Sequence, residues 1–463
     1  MDIMTVVMSK NKYEIDMCNG PIMSKLIRFS LPLVLSSNLQ LLFNAVDIIV
    51  VGKFSGSQAL AAVGSTTALI NLMIMLLLGI SLGASVLAGR YYSTQNHEGM
   101  EATVHTSMAF ALGGGLVLMC LGIAGAEFAL ELMDTPVEVL AQACLYMRVY
   151  FLALPFFMLY TYGAAILRAV GDTKRPLMFL VVAGALNVLM NLLLVVGFKL
   201  GVLGVAIATA LAECVSCVLV IYCLCRVEGS YRLSFKRLRI ELPYLKEIML
   251  IGLPAGLQSL VINFSNVLLQ ASVNSFGPIA IAGSTAANNI FGFLYVTSNS
   301  FSQACMNFTS QNYGQRKWDR IARVLLDCGI LSVGIMIVLG CGVYAFGESI
   351  LTIYTSEGPV IQAAMDILLY TTTTYFIFSI MDLLPGSLRG LGYATVPMLL
   401  SIVGTVGVRI FWIFCIFPTY HSLDILFISY PLSWIATVLM QIVYFRYIWV
   451  KERRLDGEMG KES

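Results

Sequence analysis

Long apolar runs separated by short polar breaks dominate the hydrophobic pattern of this chain. A helix needs about 20 mostly apolar residues to cross a bilayer, because each residue adds 1.5 Å to a hydrocarbon core about 30 Å thick. The runs reach that length and are too long for strands. They predict an all-α membrane protein with twelve spans, at 26–51, 59–88, 102–125, 138–165, 176–198, 203–225, 244–273, 279–310, 321–346, 360–384, 394–417 and 425–449.

The two halves of the chain repeat each other. FSLP at 29–32 returns as IGLP at 251–254, and LRAVG at 167–171 returns as LRGLG at 388–392. Matching segments are preceded by the same parity of spans, so the repeat is parallel and relates two six-helix bundles. Parallel repeats of this kind are common in transporters, whose sites lie between or within the bundles. A duplicated helical scaffold without transport is the alternative interpretation.

The distribution of Lys and Arg predicts the orientation. Every second connection is basic, whereas the alternate connections contain only Lys53 and Lys199. Cytoplasmic loops are enriched in Lys and Arg, so both termini are predicted to be cytoplasmic in a multi-pass protein of the cell (inner) membrane. The basic set includes Lys10, Lys12, Arg175 and Arg389.

The longest basic connection divides the chain almost in half. It predicts a cytoplasmic N-terminal tail, an N-terminal six-helix lobe, a basic cytoplasmic linker, a C-terminal six-helix lobe and a cytoplasmic C-terminal tail. These regions cover residues 1–25, 26–225, 226–243, 244–450 and 451–463.

Composition agrees with a membrane protein and excludes several functions. Of the 463 residues, 58% are hydrophobic and 12% are charged, whereas soluble domains have about 25% charged residues. A net charge of +2 does not favour nucleic-acid binding, and the first 25 residues do not resemble a signal peptide. The eleven cysteines lie mostly in apolar segments, so packing is favoured over zinc binding even for the pair Cys214 and Cys217.

Two motifs of metal-dependent and nucleotide-dependent enzymes are missing from the sequence. It contains no H-E-x-x-H or G-x-x-x-x-G-K-[ST] motif, each of which would place a known catalytic or phosphate-binding group. The three histidines do not cluster in sequence. We therefore predict that the protein is not an enzyme and needs no cofactor, and that no domain for ATP-driven pumping is present.

The first span contains the most informative polar residues. Gln40, Asn44 and Asp47 are spaced four and three apart, so they share one face of a helix, and Pro32 lies near the start of the span. A carboxylate at the bilayer centre costs about 2.5–3.5 kcal/mol. We therefore expect this face to contact protein or water, and a pathway for a cation is the first hypothesis. Pro32 removes one helical hydrogen bond and is predicted to act as a hinge.

Spans 5 and 6 add amide, hydroxyl and carboxyl groups. Asn187 and Asn191 are four apart on span 5, and Thr209 and Glu213 are four apart on span 6. With Asp47 they predict an oxygen-rich site for a proton or a small hard cation such as Na⁺. Hydrogen bonding between helices is the alternative role, and for the asparagines the two interpretations are equally supported.

The second half has neutral polar stripes instead of an acid. Leu269 occupies the position that matches Asp47. Polar residues at helical spacing in spans 7 and 8 predict either the wall of a substrate cavity or tight helix packing. They include Asn263, Asn266, Gln270, Asn299 and Gln303.

Four charged residues within the spans have no evident role. Because a buried charge without a partner is costly, we predict that Asp382 pairs with Arg409 and that Arg148 pairs with Glu213.

The motifs together resemble those of the multidrug and toxic compound extrusion (MATE) transporters. The resemblance rests on the paired FSLP and IGLP helix starts, on Val46–Asp47 followed by Val51–Gly52, and on LRAVGDTKRP at 167–176 with LRGLGYATVP at 388–397. It extends from about residue 20 to residue 450, and the order and spacing of the motifs are more specific than any one of them.

The resemblance implies a secondary antiporter, and we expect the protein to function as a monomer. Two lobes around a V-shaped cavity would alternate in access and export cationic, amphipathic compounds in exchange for Na⁺ or H⁺. Pro32 resembles the kink proline of the family's first helix, and Asp47 resembles its coupling carboxylate. Gln40 matches a cavity position, and Asn187, Asn191 and Thr209 match positions of the cation site.

Two departures from the family pattern bear on coupling. Position 191 is Asn where some members have Asp, and span 7 lacks a membrane-embedded Glu found in others. Coupling is therefore expected to depend on the first lobe. A flippase for lipid-linked saccharides, from the same wider superfamily, is the alternative function. It is less favoured because only Arg148 and Arg409 could form a cationic cavity within the spans.

Overall fold

All regular structure in the described part of the chain is helical. The computed structural model describes residues 13–462, in which there is no strand. Eleven helices there are long and apolar enough to cross a membrane. The number rises to 12 if Gly358–Thr372 and Tyr375–Gly390, which meet at a 45° bend, count as one broken span. The predicted all-α membrane fold is confirmed.

The long helices follow the predicted spans closely. They are α1 Ile22–Phe54, α2 Gly56–Ser93, α3 His97–Glu131, α4 Val137–Ala169, α5 Lys174–Gly197, α6 Gly201–Arg226, α7 Leu242–Asn274, α8 Pro278–Gly314, α9 Trp318–Ala345, α10 Gly358–Thr372, α11 Tyr375–Gly390, α12 Thr395–Tyr420 and α13 Leu423–Glu462. A short helix, Gly347–Leu351, follows α9, and a single 3₁₀ turn, Phe235–Arg237, lies in the basic linker.

Local sequence signals explain where several helices begin. The side chain of Asn96 accepts a hydrogen bond from the Gly99 N–H at 2.9 Å and caps α3. Pro278 occupies the first turn of α8, where a missing N–H costs nothing, directly after Gly277 with a φ of 88°. Pro32 lies inside α1 as predicted, and the helix continues through it. The hinge remains a prediction.

The chain divides into two compact units. Within the first unit, α4 packs against α2, α3 and α6. Within the second unit, α8 packs against α9, α10 and α11. Each unit therefore has one central helix around which its core is built.

The unit boundaries differ from the predicted lobes. Met17–Ser30 belong to the second unit, and the first unit extends to Gly252. The centre of the Phe29 ring lies 5.6 Å from the centre of the Phe308 ring, in an edge-on contact. The backbones of Ile80 and Gly252 are in close contact. Hydropathy locates helices but does not show which neighbour each end of a helix contacts.

Helices extend into both predicted tails, whose cytoplasmic location remains a prediction. α1 begins at Ile22, inside the predicted N-terminal tail of 1–25. α13 continues to Glu462 through the predicted C-terminal tail. Lys10 and Lys12, which contributed to the predicted orientation, lie outside the described residues.

Candidate functional site

Three helices of the first unit bring their polar residues together. Asp47 lies on α1, Asn187 and Asn191 lie one turn apart on α5, and Thr209 lies on α6. The connection between α5 and α6 has three residues, which makes these helices antiparallel neighbours. The sequence separates Asp47 from the other residues by more than a hundred positions, and the fold brings them into one site.

Asp47 is held by neutral hydrogen-bond donors. The Asn191 amide N donates to Asp47 Oδ1 and, at 3.0 Å, to Asn187 Oδ1. The Thr209 hydroxyl donates to Asp47 Oδ2 at 3.3 Å and accepts from the Asn187 amide at 3.4 Å. Among the described residues, no Lys, Arg or His side chain is paired with this carboxylate.

One acceptor in this polar cluster has no hydrogen-bond partner within the described residues. Asn191 is fully buried, yet its Oδ1 has no hydrogen-bond partner within the described residues. A buried acceptor without a partner costs about 1–3 kcal/mol. A carboxylate, amide oxygens and a hydroxyl are the ligands of hard cations such as Na⁺. Within the described residues, no group of His, Cys, Asp or Glu is placed to hold a transition metal.

A π-helical segment begins directly after Asn191. Leu192–Gly197 forms this segment at the end of α5, and π-helical turns occur frequently at functional sites. The repeat has a related feature, because Trp412–Ile416 in α12 is also π-helical. The irregular backbone therefore adjoins the polar site in the first unit.

A second polar chain lies within the second unit. The Gln303 amide donates to Asn299 Oδ1 at 2.9 Å, and Asn299 makes a long hydrogen bond of 3.5 Å to Asp382. The Ser302 hydroxyl donates to the Asp382 backbone carbonyl at 2.7 Å. The sequence placed Asn299 and Gln303 on one face, and the structure adds Asp382 to them.

The predicted pair between Asp382 and Arg409 is wrong. Arg409 is 2% exposed and donates to Asn266 Oδ1 at 2.8 Å and to Ser433 Oγ at 3.2 Å. Its guanidinium carbon lies 4.2 Å from the centre of the Tyr430 ring. An amide oxygen and an aromatic face therefore stabilise this cation in place of a carboxylate.

The predicted pair between Arg148 and Glu213 is also wrong. Arg148 is exposed and forms an ion pair of 3.1 Å with Glu127 on α3. Both side chains are about half exposed, so the pair contributes little to stability. Because α4 packs against α3 and also against α6, which carries Glu213, the choice of neighbouring helix does not by itself decide the partner of Arg148.

The remaining predicted cavity residues are partly or fully exposed. Gln40 and Asn44 are exposed on α1. On α7, Asn263 donates to the Ser259 carbonyl at 2.9 Å, and Gln270 accepts from the Ser284 hydroxyl at 3.1 Å. These contacts are compatible with both predicted roles, a cavity wall and helix packing.

Arg389 is buried, which was not predicted from the sequence. It was counted in a cytoplasmic connection, but it lies in α11, is 6% exposed and donates to Gln258 Oε1 at 2.7 Å. The signal was available, because Arg389 follows Asp382 by seven residues, or two turns on the same helix face.

A protein-family model matches the chain twice, once in each half. The MatE family model matches residues 32–193 and again 254–414. The two matches begin 222 positions apart, the shift that aligns FSLP with IGLP, and they confirm the internal repeat.

Curated relatives and solved structures cover nearly the whole chain. The chain is 29% identical over 440 residues to "Probable multidrug resistance protein YoeA" of Bacillus subtilis (strain 168), covering 92% of this chain and 94% of that protein. It is 22% identical over 387 residues to "Multidrug export protein MepA" of Staphylococcus aureus (strain MRSA252), covering 83% and 85%.

Among solved structures, a MATE protein in complex with MaL6 superposes with a TM-score of 0.89 at 20% identity, covering 95% of this chain and 98% of that one. An outward-facing multidrug resistance MATE family transporter of the MOP superfamily superposes with a TM-score of 0.88 at 20% identity, covering 96% and 100%. At 20% identity the solved structures support the fold. The family model matches well over half of the chain and shows the family to which it belongs. The chain therefore belongs to the MatE family of multidrug efflux transporters.

Proposed function

We propose that this transporter exports cationic, amphipathic compounds in exchange for Na⁺ or H⁺ by alternating access, with Asp47 as the coupling residue. The observation that carries the proposal is the Asp47 carboxylate, which has neutral donors around it and no cationic partner among the described residues. A carboxylate at membrane depth is expensive and is kept where it has a function.

The Asp47 site offers a way to exchange one cation for another. An empty, ionised Asp47 attracts an organic cation. A proton or a bound Na⁺ neutralises the carboxylate and weakens that attraction. A ligand shifts a conformational equilibrium only by its difference in affinity between the states. Because the organic cation and the proton or Na⁺ compete for the Asp47 carboxylate, each of them can shift the equilibrium in this way.

The neighbouring amide side chains form hydrogen bonds in the site without adding charge. Asn191 carries no charge, so Asp47 is the one carboxylate in the hydrogen-bonded cluster with Asn187, Asn191 and Thr209. A single carboxylate balances one monovalent ion. We therefore propose that coupling rests on the first unit and on this residue.

The test is transport by purified protein in sealed liposomes. An inward Na⁺ gradient, and separately a pH gradient, is imposed on vesicles that contain ethidium. The wild type is expected to move ethidium under at least one gradient, and Asp47→Asn is expected to fall to the level of protein-free vesicles. The ion that drives transport identifies the coupling ion.

Asp134→Asn is the matched control. Asp134 is exposed in the connection between α3 and α4, and its φ of 53° suits asparagine. This variant makes the same chemical change away from the site and is expected to transport normally. Undiminished ion-driven export by Asp47→Asn would contradict the proposal.

A further inference from the structure

A cavity of about 780 Å³ lies at one end of the first unit, at the ends of α1 and α5 and the starts of α2 and α6. Its volume falls within the range of about 300–1,000 Å³ typical of small-molecule sites. The lining residues do not include Asp47, Asn187, Asn191 or Thr209, so the cavity is separate from the proposed coupling site. The charge pattern of the chain predicts that this end is not cytoplasmic.

One part of the cavity is polar and positively charged. Lys199 is the one charged side chain among the lining residues, all of which lie in the described part of the chain. Lys53 is the neighbour of the lining residue Phe54. These are the two lysines of the alternate connections, which are otherwise free of Lys and Arg. Both lie close to this one cavity.

Two further groups can donate hydrogen bonds to an anion there. The Ser55 hydroxyl is buried, does not cap α2 and has no partner among the described residues. It lies 3.9 Å from the position that a Cβ on Gly201 would occupy. Gly201 and Val202 line the cavity as the first residues of α6. The first N–H groups of a helix lack partners within it and attract negative charge.

The backbone of Lys199 supports a role for its side chain. Its φ is 57°, in the left-handed region that glycine and asparagine adopt more readily than lysine. Residues kept in such conformations at some cost are concentrated at functional sites.

Apart from Gln142, the remaining lining residues of the cavity are apolar. Phe54 is 50% exposed, Leu145 41% and Leu200 40%. Phe54 and Leu200 lie at helix ends, the level at which a bilayer changes from acyl chains to head groups, and Leu145 lies about two turns inside α4. A ligand that fits both parts has a negative head group and apolar chains.

We propose that this cavity binds an anionic phospholipid, with the phosphate held by Lys199, Ser55 and the start of α6, and the acyl chains against Phe54, Leu145 and Leu200. The bilayer supplies such a ligand at that depth. Anionic head groups attract nearby lysines by about 1 kcal/mol each. Phospholipid binding at this place is independent of the proposed ion coupling.

The test is thermal unfolding of the purified protein in an uncharged detergent with added lipid. Dioleoylphosphatidylglycerol is expected to raise the melting temperature, whereas dioleoylphosphatidylcholine and inorganic phosphate have little effect. Native mass spectrometry counts the bound lipid. Higher salt is expected to weaken the effect because it screens exposed charges.

Variants locate the binding site. Lys199→Asn suits the left-handed backbone and is expected to weaken the apparent affinity for phosphatidylglycerol about five-fold, while Lys199→Arg retains it. Ser55→Ala, a second variant, is expected to weaken it less. Lys236→Asn makes the same charge change at an exposed position of the basic linker and is expected to bind as the wild type does.

Three results would overturn the proposal. Equal stabilisation by phosphatidylcholine would indicate an apolar site without charge recognition. Equal stabilisation by inorganic phosphate would indicate a site for soluble anions. Unchanged phosphatidylglycerol affinity in both Lys199→Asn and Ser55→Ala would place the lipid elsewhere.

Discussion

At the scale of single residues, the partner of a charge depended on the fold more than on spacing along the chain. Arg409 has an amide and an aromatic ring where an acid was expected. Arg148 has an acid on a different helix from the predicted one. In both cases the charge itself was correctly identified as needing a partner, and only the packed structure identified that partner.

Asp172 shows how burial and charge compete at one residue. It lies between α4 and α5, accepts hydrogen bonds from the Lys174 and Arg175 N–H groups at 3.1 Å, and lies 3.4 Å from the Arg175 guanidinium. Burial raises the pKa of Asp172 from 3.8 to about 6, and the Arg175 N–H and charge only partly oppose this. Desolvation is the larger effect.

We predict a pH dependence of stability that Asp172 causes. Because its pKa is higher in the folded protein, the folded state binds more protons than the unfolded state between about pH 4 and pH 6. The stabilisation that Asp172 contributes to the folded protein is therefore present below about pH 4 and is lost as the pH rises through about 6. The melting temperature of the wild type, relative to Asp172→Asn, should fall between pH 4.5 and pH 7.

Asp172→Asn keeps a side-chain oxygen that can accept hydrogen bonds from the two backbone N–H groups. This variant therefore tests the effect of the charge alone. Asp172→Ala removes these hydrogen bonds as well and should cost about a further 1 kcal/mol, the usual net contribution of an intramolecular hydrogen bond. Parallel pH curves for the wild type and Asp172→Asn would contradict the assignment.

At the scale of helices, close approach depends on small residues that hydropathy does not distinguish. Gly83 on α2 lies so close to α7 that an added Cβ would be 2.1 Å from the Ile248 carbonyl oxygen. Gly252 on α7 makes the reciprocal approach, because a Cβ added there would be 2.4 Å from the Ile80 carbonyl oxygen. Helices in membranes pack through such small residues because lipid provides no hydrophobic force between them.

Gly83→Ala is therefore expected to destabilise the first unit. The added methyl group meets backbone, which cannot rotate away as a side chain can, so α2 and α7 must separate. We expect a cost of about 1–3 kcal/mol, seen as a lower melting temperature in detergent. Gly113→Ala on α3 has nothing within 4 Å of the new Cβ and serves as the control. Equal melting temperatures for the two variants would show that the contact is not tight.

At the scale of the whole molecule, the duplicated halves are alike in helices and different in charge. The first unit holds Asp47 with neutral donors. The second unit has Leu269 at the matching position and a buried arginine, Arg409, that is not paired with an acid among the described residues. Duplication therefore preserved the scaffold, and the two copies acquired different polar sites.

The orientation of the molecule can be tested with inserted epitope tags. The connection between α3 and α4 is acidic, and the linker between α6 and α7 is basic. Lys and Arg are retained on the cytoplasmic side. A tag after Asp134 should therefore react with antibody on intact cells, and a tag after Lys236 only after permeabilisation. The reverse pattern would invert the predicted topology.

The sequence alone determined the helical membrane fold and the internal repeat, and it predicted the residues of the proposed coupling site. Spans are read from runs of about 20 apolar residues, and polar residues within them stand out because they are expensive there. Asp47, Asn187, Asn191 and Thr209 were identified in this way, together with the resemblance to MATE transporters. The hydrogen bonds that join them bring together residues more than a hundred positions apart.

Only the tertiary structure decided which helix ends belong to which unit, the partners of Arg148 and Arg409, the burial of Arg389 and the cavity beside Lys199. Apolar periodicity is a property of one helix, whereas ion pairs, close backbone contacts and cavities are properties of two or more helices packed together. A sequence of alternating apolar runs and connections therefore defines the helices, and side-chain packing between distant segments defines their contacts.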